Sequence, residues 1–384
     1  MVVSGRCPYL TTHLKYLMVY NDMEGTPAGG QSVRWGPFVG RRMDKRRDPV
    51  EARDDGSLDL YDISTWDVRT RLDRLSLRIY NGLIAGGRAL LLVAAVLILV
   101  TQFALGGLGT VTDPVIGAFV LLSVVPAALL AAYVWYADIT TQEPLELIVA
   151  TFVLGILFAG FAGLLNPLLG GVVATVGSGF GAFPSLGLVL LFYLVVGPVE
   201  ETVKLLAVRL YSYRDERFDA VIDGAVYGAV AGLGFATIEN AIYITGTIEQ
   251  AGAADVVGTG SAIATVRALA GPGHVIYSAF AGYYLGLAKF NRDNAGPIVV
   301  KGLLIAAVIH ATYNTAVSFV PEIVADAVGI SPILAFFAFV VVYDSLFGYV
   351  LYRKLQRYRT AYLSVQSAAE RDEGIPSERT EFEN

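Results

Sequence analysis

The chain has 384 residues, of which 55% are hydrophobic and 16% are charged, and its formal net charge is −6. This apolar composition excludes an ordinary soluble domain and is typical of a polytopic membrane protein, for which no nucleic-acid partner is expected. The single cysteine, Cys7, excludes an internal disulfide and a cysteine-ligated metal centre.

The N-terminal region is polar and rich in Gly, Arg and Asp, so we expect disorder over residues 1–60. Met43 is a second candidate start, and translation from it would leave out residues 1–42. Residues 61–88 then form a basic segment in which leucine and isoleucine alternate with arginine. We expect this segment to lie on the membrane surface, or in solvent beside it, before the first span.

Eight apolar stretches follow, each long enough to cross about 30 Å of hydrocarbon. They are predicted at residues 89–109, 115–136, 147–169, 185–210, 220–244, 265–289, 297–319 and 333–353. We therefore predict an all-α polytopic membrane protein, a bundle of about eight transmembrane helices over 89–355, with a polar disordered tail over 356–384. Basic residues flank one set of loops, so the positive-inside rule places both termini in the cytoplasm of a multi-pass cell-membrane protein.

Two adjacent carboxylates interrupt the fourth span. Glu200 and Glu201 follow Pro198, and Lys204 comes one turn after Glu200, which it can neutralise. A charge near the centre of a membrane helix costs roughly 3 kcal/mol or more, and such a group indicates a functional site by default. Lys204 alone would also suit a structural ion pair, so the functional reading depends on further partners.

The fifth span offers the first of these partners. Gly224, Gly228 and Gly232 recur along one helix face, and small residues at this spacing allow close helix packing in lipid. Glu239 falls within about 20° of that face, so we expect it to point into the bundle. Asn240, the next residue, is assigned a supporting role, as is Lys204.

The sixth and seventh spans each carry a histidine. The sequence Gly-Pro-Gly at 271–273 is expected to interrupt the sixth helix beside His274. His310 and Asn314 are four residues apart and share a helix face. A polar pair of this kind can simply join helices, but two histidines near paired acids favour a functional site.

These side chains suit two kinds of chemistry. A carboxylate and a histidine can activate a water, while a histidine and an amide can stabilise a developing oxyanion. Together they would hydrolyse an amide without any metal or other cofactor. Alternatively, His274, His310 and Glu239 would ligate Zn²⁺ and leave a position for water. The chain lacks the H-E-x-x-H signature of many zinc proteases. The residues alone do not distinguish the metal-free mechanism from the zinc-dependent one.

Two further functions remain open from the residues alone. An ion- or proton-coupled transporter would also contain broken spans and buried ionisable groups, although the two halves show no convincing internal repeat. A non-catalytic membrane binding protein would keep the same motifs without the reaction.

Four motifs occur in a fixed order: E-E-T-V-K at 200–204, D-G-A-V-Y-G…G-L-G-F-A-T-I-E-N at 223–240, G-H-V-I-Y-S-A-F-A-G-Y-Y-L-G at 273–286 and H-A-T-Y-N at 310–314. This set resembles the PrsW family of intramembrane proteases over roughly residues 115–320. It is more distantly similar to the CAAX-processing and bacteriocin-immunity protease group.

The resemblance implies an intramembrane endopeptidase that acts on a membrane protein or a membrane-anchored peptide within the lipid bilayer. It implies that Glu200 is the general base, that His274 is its partner on the water, and that His310 and Asn314 stabilise the oxyanion. PrsW-like proteins are described as metalloproteases and the CAAX group as glutamate-dependent, so the resemblance leaves Zn²⁺ open.

Glu201 and Glu239 are implied to support this site or to bind a metal. Glu201 is counted with the catalytic set because the two adjacent glutamates have nearly equal claims. They lie about 100° apart on the helix, so only one faces the water directly. We expect that one to be Glu200, and the reverse assignment stays open.

Overall fold

The computed structural model describes residues 59, 68–102, 113–140, 142–177, 184–252 and 255–373. The expectations for residues 1–58 and for the alternative start therefore lie outside the described residues. The chain divides into two units between Arg78 and Ile79. The described residues contain helices and short connections but no strand, which confirms the predicted all-α class.

Ten α-helices carry the described chain. They are α1 (Arg71–Gln102), α2 (Pro114–Tyr136), α3 (Leu145–Gly177), α4 (Pro184–Leu191), α5 (Gly197–Leu210), α6 (Val221–Ala251), α7 (Val256–Phe290), α8 (Ala295–Val317), α9 (Val320–Val328) and α10 (Pro332–Glu373). A π-helical turn, Phe192–Val196, joins α4 to α5, and the three together form one span. Among the described residues, 7 stretches are long and apolar enough to cross a membrane, which confirms a multi-pass membrane protein.

The sixth predicted span lies in α7, which is not one of those stretches. Its histidine, glycines and tyrosines lower its hydropathy, yet it packs along α6 over most of its length. Gly224 of α6 meets Gly282, whereas Gly232 meets His274, so the two helices are antiparallel. Because α6 qualifies as a span, we infer that α7 crosses beside it and that the bundle has the eight spans expected.

The glycine face of α6 sets the distance between these two helices. A methyl group on Gly224, Gly228 or Gly232 would collide with a backbone carbonyl oxygen of α7. Gly282 of α7 would collide with α6 in the same way. The close packing expected from the glycine spacing is therefore present, and it brings the backbone of His274 against α6.

The predicted interruption at 271–273 is wrong, because α7 runs through Pro272 without a break. A proline removes one backbone hydrogen bond, and neighbouring helices make this tolerable within a bilayer. Gly271 packs there against α2, since a methyl group on it would lie 3.2 Å from the Cβ atom of Ala127. The irregular backbone lies instead just before Pro198, where the wider turn at 192–196 accommodates the proline ring.

The C-terminal tail differs from expectation as well. Residues 356–373 are helical, because α10 continues to Glu373, and residues 374–384 lie outside the described residues. Extending an established helix needs no new nucleation, so polar residues can prolong α10 at little cost.

The α6–α7 contact is tested by Gly228→Ala. We expect its free energy of unfolding to fall by about 1–3 kcal/mol, because the added methyl group forces the two backbones apart. Gly246→Ala on the same helix is the control, since the space around it is open. It should leave stability unchanged or raise it by up to about 1 kcal/mol. Unfolding of the purified protein in detergent measures both, and equal stability of the two variants would contradict the packing.

Candidate active site

A cavity of about 330 Å³ lies inside the bundle, between α3, α5, α6, α7 and α8. Its wall contains five of the side chains predicted for the site: Glu200, Glu239, His274, His310 and Asn314. These residues come from four separate spans. The structure therefore brings together the groups that the sequence could place only on individual helices.

The two adjacent glutamates have different surroundings. Glu200 lines the cavity, whereas Glu201 is fully buried beside it and does not line the cavity. One oxygen of Glu201, Oε1, lies 2.7 Å from the Lys204 Nζ atom and 2.9 Å from the His310 Nδ1 atom. The Ser278 hydroxyl donates to its other oxygen at 3.4 Å. Glu201 is thus occupied by protein partners, and Glu200 is the one exposed to the cavity.

Lys204 is paired more closely with Glu201 than with the predicted partner, Glu200. Its Nζ atom lies 3.8 Å from the Glu200 Oε2 atom, against 2.7 Å for Glu201. The same ammonium lies 2.8 Å from the Nδ1 atom of His274 and 4.3 Å from the centre of the Phe235 ring. Lys204 therefore connects α5 to both α6 and α7.

These contacts imply opposite tautomers for the two histidines. An ammonium group has only donors, so the Nδ1 atom of His274 accepts and its Nε2 atom carries the proton. That Nε2 atom donates to Glu239 at 2.9 Å. The Nδ1–H group of His310 donates to Glu201, so its Nε2 atom is an acceptor, 3.7 Å from the Glu200 Oε2 atom. His274 is thus a donor at its Nε2 atom, and His310 is an acceptor there.

Glu239 is held by an arginine that also lines the cavity. The Arg267 guanidinium donates to Glu239 at 2.5 Å and to the Asn240 Oδ1 atom at 2.8 Å. The Asn240 amide in turn donates to the Ser123 hydroxyl of α2 at 3.0 Å. Asn240 thus contacts both Arg267 and α2, and its supporting role stays a prediction.

Sequence reasoning did not identify three residues of this site. Asn166 donates to the Glu200 Oε1 atom at 3.1 Å, Arg267 binds Glu239, and the Tyr277 ring stacks on His310 with centroids 5.2 Å apart. The signal for Asn166 and Arg267 was available, because each is an isolated polar residue inside an apolar stretch. Tyr277 had no such signal, since its position depends on how α7 and α8 pack.

One negative charge in this cluster lacks a close partner. Three carboxylates, from Glu200, Glu201 and Glu239, face two permanent cations, Lys204 and Arg267. The Glu200 Oε2 atom is buried and has no hydrogen-bond partner within the described part of the chain. A proton or a metal ion on Glu200 would restore neutrality.

The donor set also suits a metal ion. One oxygen of Glu200 and one nitrogen each of His274 and His310 lie within 4.8 Å of one another, and all three residues are buried. The structure thus groups Glu200 with the histidines, where the sequence suggested Glu239, because Glu239 is engaged by Arg267. Two imidazoles and a carboxylate form a ligand set that Zn²⁺ accepts.

One family model and several known proteins match this chain. The family model described as PrsW family intramembrane metalloprotease matches residues 143–344. Protease PrsW of Bacillus subtilis is 28% identical over 199 residues, which cover 51% of this chain and 81% of that protein. Protease PrsW of Oceanobacillus iheyensis is 30% identical over 192 residues, which cover 50% and 79%. No solved structure matches the chain.

The matched region covers more than half of the chain and contains every polar side chain described for the cavity. It begins before α3 and ends within α10, so it spans the helices that build the site. The chain therefore belongs to the PrsW family of intramembrane metalloproteases.

Proposed function

We propose that this peptidase cleaves a peptide bond of a membrane protein or a membrane-anchored peptide, and that Glu200 acts on the attacking water. The observation that carries the assignment is the division between the two glutamates. Glu200 opens on the cavity with one oxygen lacking a partner among the described residues, whereas Glu201 is enclosed by Lys204, His310 and Ser278. A general base needs an accessible lone pair within hydrogen-bond reach of the water.

The histidines would then divide the remaining tasks by tautomer. The Nε2 atom of His310 is a hydrogen-bond acceptor, so it would help Glu200 to hold the water rather than stabilise an oxyanion. His274 carries its proton on Nε2 and would donate. The Asn314 amide lines the cavity without a hydrogen-bond partner among the described residues, which leaves it free to donate to the developing oxyanion. Glu201 and Lys204 act as positioning residues.

In a metal-bound enzyme, Glu200, His274 and His310 would hold a divalent metal such as Zn²⁺, and they would then act as ligands in place of the roles given above. When bound, the metal supplies Lewis acidity that polarises the scissile carbonyl. Glu201 suits this arrangement, because a metal-binding histidine usually donates its other ring N–H to a carboxylate. Lys204 would have to release the Nδ1 atom of His274, since only an unprotonated nitrogen can bind the metal.

Substitution of Glu200 tests the assignment of the base. We expect Glu200→Gln to lower cleavage of a co-expressed transmembrane reporter by about 10²–10⁴-fold, because an amide cannot accept a proton from water. Thermal stability should be retained, since the amide keeps the shape of the side chain. Glu249→Gln, an exposed glutamate at the end of α6, is the matched control. Equal cleavage by the Glu200→Gln variant and the wild type would exclude Glu200 as the base.

Metal analysis tests the ligand set. We expect about one Zn²⁺ per purified chain and its loss from the His310→Ala variant, because ligand removal weakens metal binding well beyond the roughly 10–100-fold of an outer-shell change. Chelation should abolish cleavage by the wild type, and added Zn²⁺ should restore it. Full cleavage by a metal-free preparation would contradict the metal and leave the reaction to Glu200 and the histidines.

A further inference from the structure

A second group of acids, two of them buried and one half-buried, lies at the opposite end of α6 from Glu239. Asp138 is in the connection between α2 and α3, Glu143 precedes α3, and Asp223 is in the first turn of α6. Asp223 and Glu239 are 16 residues apart in sequence, which corresponds to about 24 Å along the helix. The group is therefore separate from the active site.

Each of these carboxylates has one oxygen held by a protein donor. Asp138 accepts at its Oδ1 atom from the backbone N–H and the hydroxyl of Thr140, at 2.8 and 2.7 Å. Glu143 accepts at its Oε2 atom from the hydroxyl of Tyr227. Such contacts orient a carboxylate without neutralising its charge, as outer-shell donors do around metal sites.

Asp223 follows the same pattern. Its Oδ2 atom accepts from the backbone N–H groups of Asp219 and Ala220, each at 2.8 Å, and so caps the start of α6. The orientation of all three acids is thus set by local donors.

The second oxygen of each acid has no hydrogen-bond donor among the residues that the structure describes. The Asp138 Oδ2, Glu143 Oε1 and Asp223 Oδ1 atoms are buried and lack a hydrogen-bond partner within the described ranges. Asp223 is 0% exposed and Glu143 is 4% exposed. One oxygen of each residue lies within 4.8 Å of the others. Buried polar atoms are normally satisfied, so an unpartnered oxygen on each of three neighbouring acids needs an explanation.

Basic side chains among the described residues do not neutralise these carboxylates at close range. None of the three acids forms an ion pair with a described lysine or arginine. The charge of Lys289 reaches Asp223 and Glu143, and that of Arg359 reaches Asp138, only at longer range. Lys289 itself donates to the Asp215 carbonyl at 3.0 Å and lies over the Phe218 ring.

Burial makes the uncompensated charges unfavourable. Desolvation raises the pKa of Glu143 to about 8, and it raises the pKa of Asp138 above its ordinary value. Three close carboxylates in this setting require either a bound proton or a bound cation.

We propose that Asp138, Glu143 and Asp223 bind Ca²⁺. Carboxylate oxygens are the ligands of hard cations, and the site offers neither nitrogen nor sulfur from described residues for a softer metal. Ca²⁺ takes 6–8 oxygen ligands at about 2.4 Å in a flexible geometry, whereas Mg²⁺ requires a near-ideal octahedron. The ion would tie the first turn of α6 to the α2–α3 connection.

A neighbouring cavity would give the ion access to the site and leave room for water ligands. It has a volume of about 320 Å³, and Trp135, Gln142, Asp138 and Glu143 contribute to its wall. The site does not depend on the proposed peptidase mechanism, because it shares no residue with the central cavity.

Tb³⁺ luminescence sensitised by Trp135 measures occupancy of this site in the full chain in detergent. We expect a saturable signal that Ca²⁺ displaces below about 1 mM and that Mg²⁺ displaces less well. Asp223→Asn and Glu143→Gln keep the acceptor oxygens for Ala220 and Tyr227 and should each weaken Ca²⁺ binding at least tenfold. Ca²⁺ should also raise the melting temperature of the wild type and not that of these variants.

Two control variants separate this site from others. Glu216→Gln, an exposed acid in the α5–α6 connection, and Glu200→Gln in the central cavity should both bind Ca²⁺ as the wild type does. Trp135→Phe should lose the luminescence but keep the Ca²⁺-dependent rise in melting temperature. The proposal is overturned if the wild type shows no Ca²⁺ binding at about 5 mM, well above the weakest protein sites. It is equally overturned if Asp223→Asn and Glu143→Gln leave the affinity unchanged, and a shared proton would then explain the acids.

Discussion

The ammonium group of Lys204 is the interaction on which the active site depends. It is fully buried, and it lies between the Glu201 carboxylate and the imidazole of His274. Through Glu201 it also sets the orientation of His310. The buried ammonium thus stabilises the Glu201 carboxylate and fixes the tautomers of His274 and His310. Glu200 is left as the acid that faces the cavity. A buried charge of this kind is tolerated only where close counter-charges and hydrogen bonds compensate its desolvation.

The packing of α6 against α7 makes this arrangement possible. Without side chains on Gly228 and Gly232, the α7 backbone comes close enough for Ser278 and His274 to reach α5. Catalytic geometry requires side chains held by rigid elements, and here the rigid element is a backbone-to-backbone contact. Chemistry and stability therefore depend on the same glycines, and the π-helical turn at 192–196 lies directly before α5, which carries Glu200.

The sequence predicted the spans and most cavity residues because polar groups in apolar helices are conspicuous. Glu200, His274 and His310 could be assigned to a site on that ground alone. The ion pairs within the site could not be predicted, because Lys204 can reach either glutamate at helical spacing. Only the packing of α7 selects Glu201 as its closer partner. The helix interruption predicted at Pro272 is absent for a related reason. The contact of α7 with α2 compensates the tendency of proline to break a helix. Helix propensity depends on the residues of a single helix, whereas the site is built from the side chains of five packed helices.

A double-mutant cycle of Lys204→Met and Glu201→Gln tests the central claim most directly, with the free energy of unfolding measured in detergent. Each single variant leaves a buried charge without its nearest partner, so each should lose about 3–5 kcal/mol. The double variant removes both charges and should recover most of that loss, giving a coupling energy of about 2 kcal/mol or more. Additive losses, with no recovery in the double variant, would contradict the account and show that Lys204 does not hold Glu201.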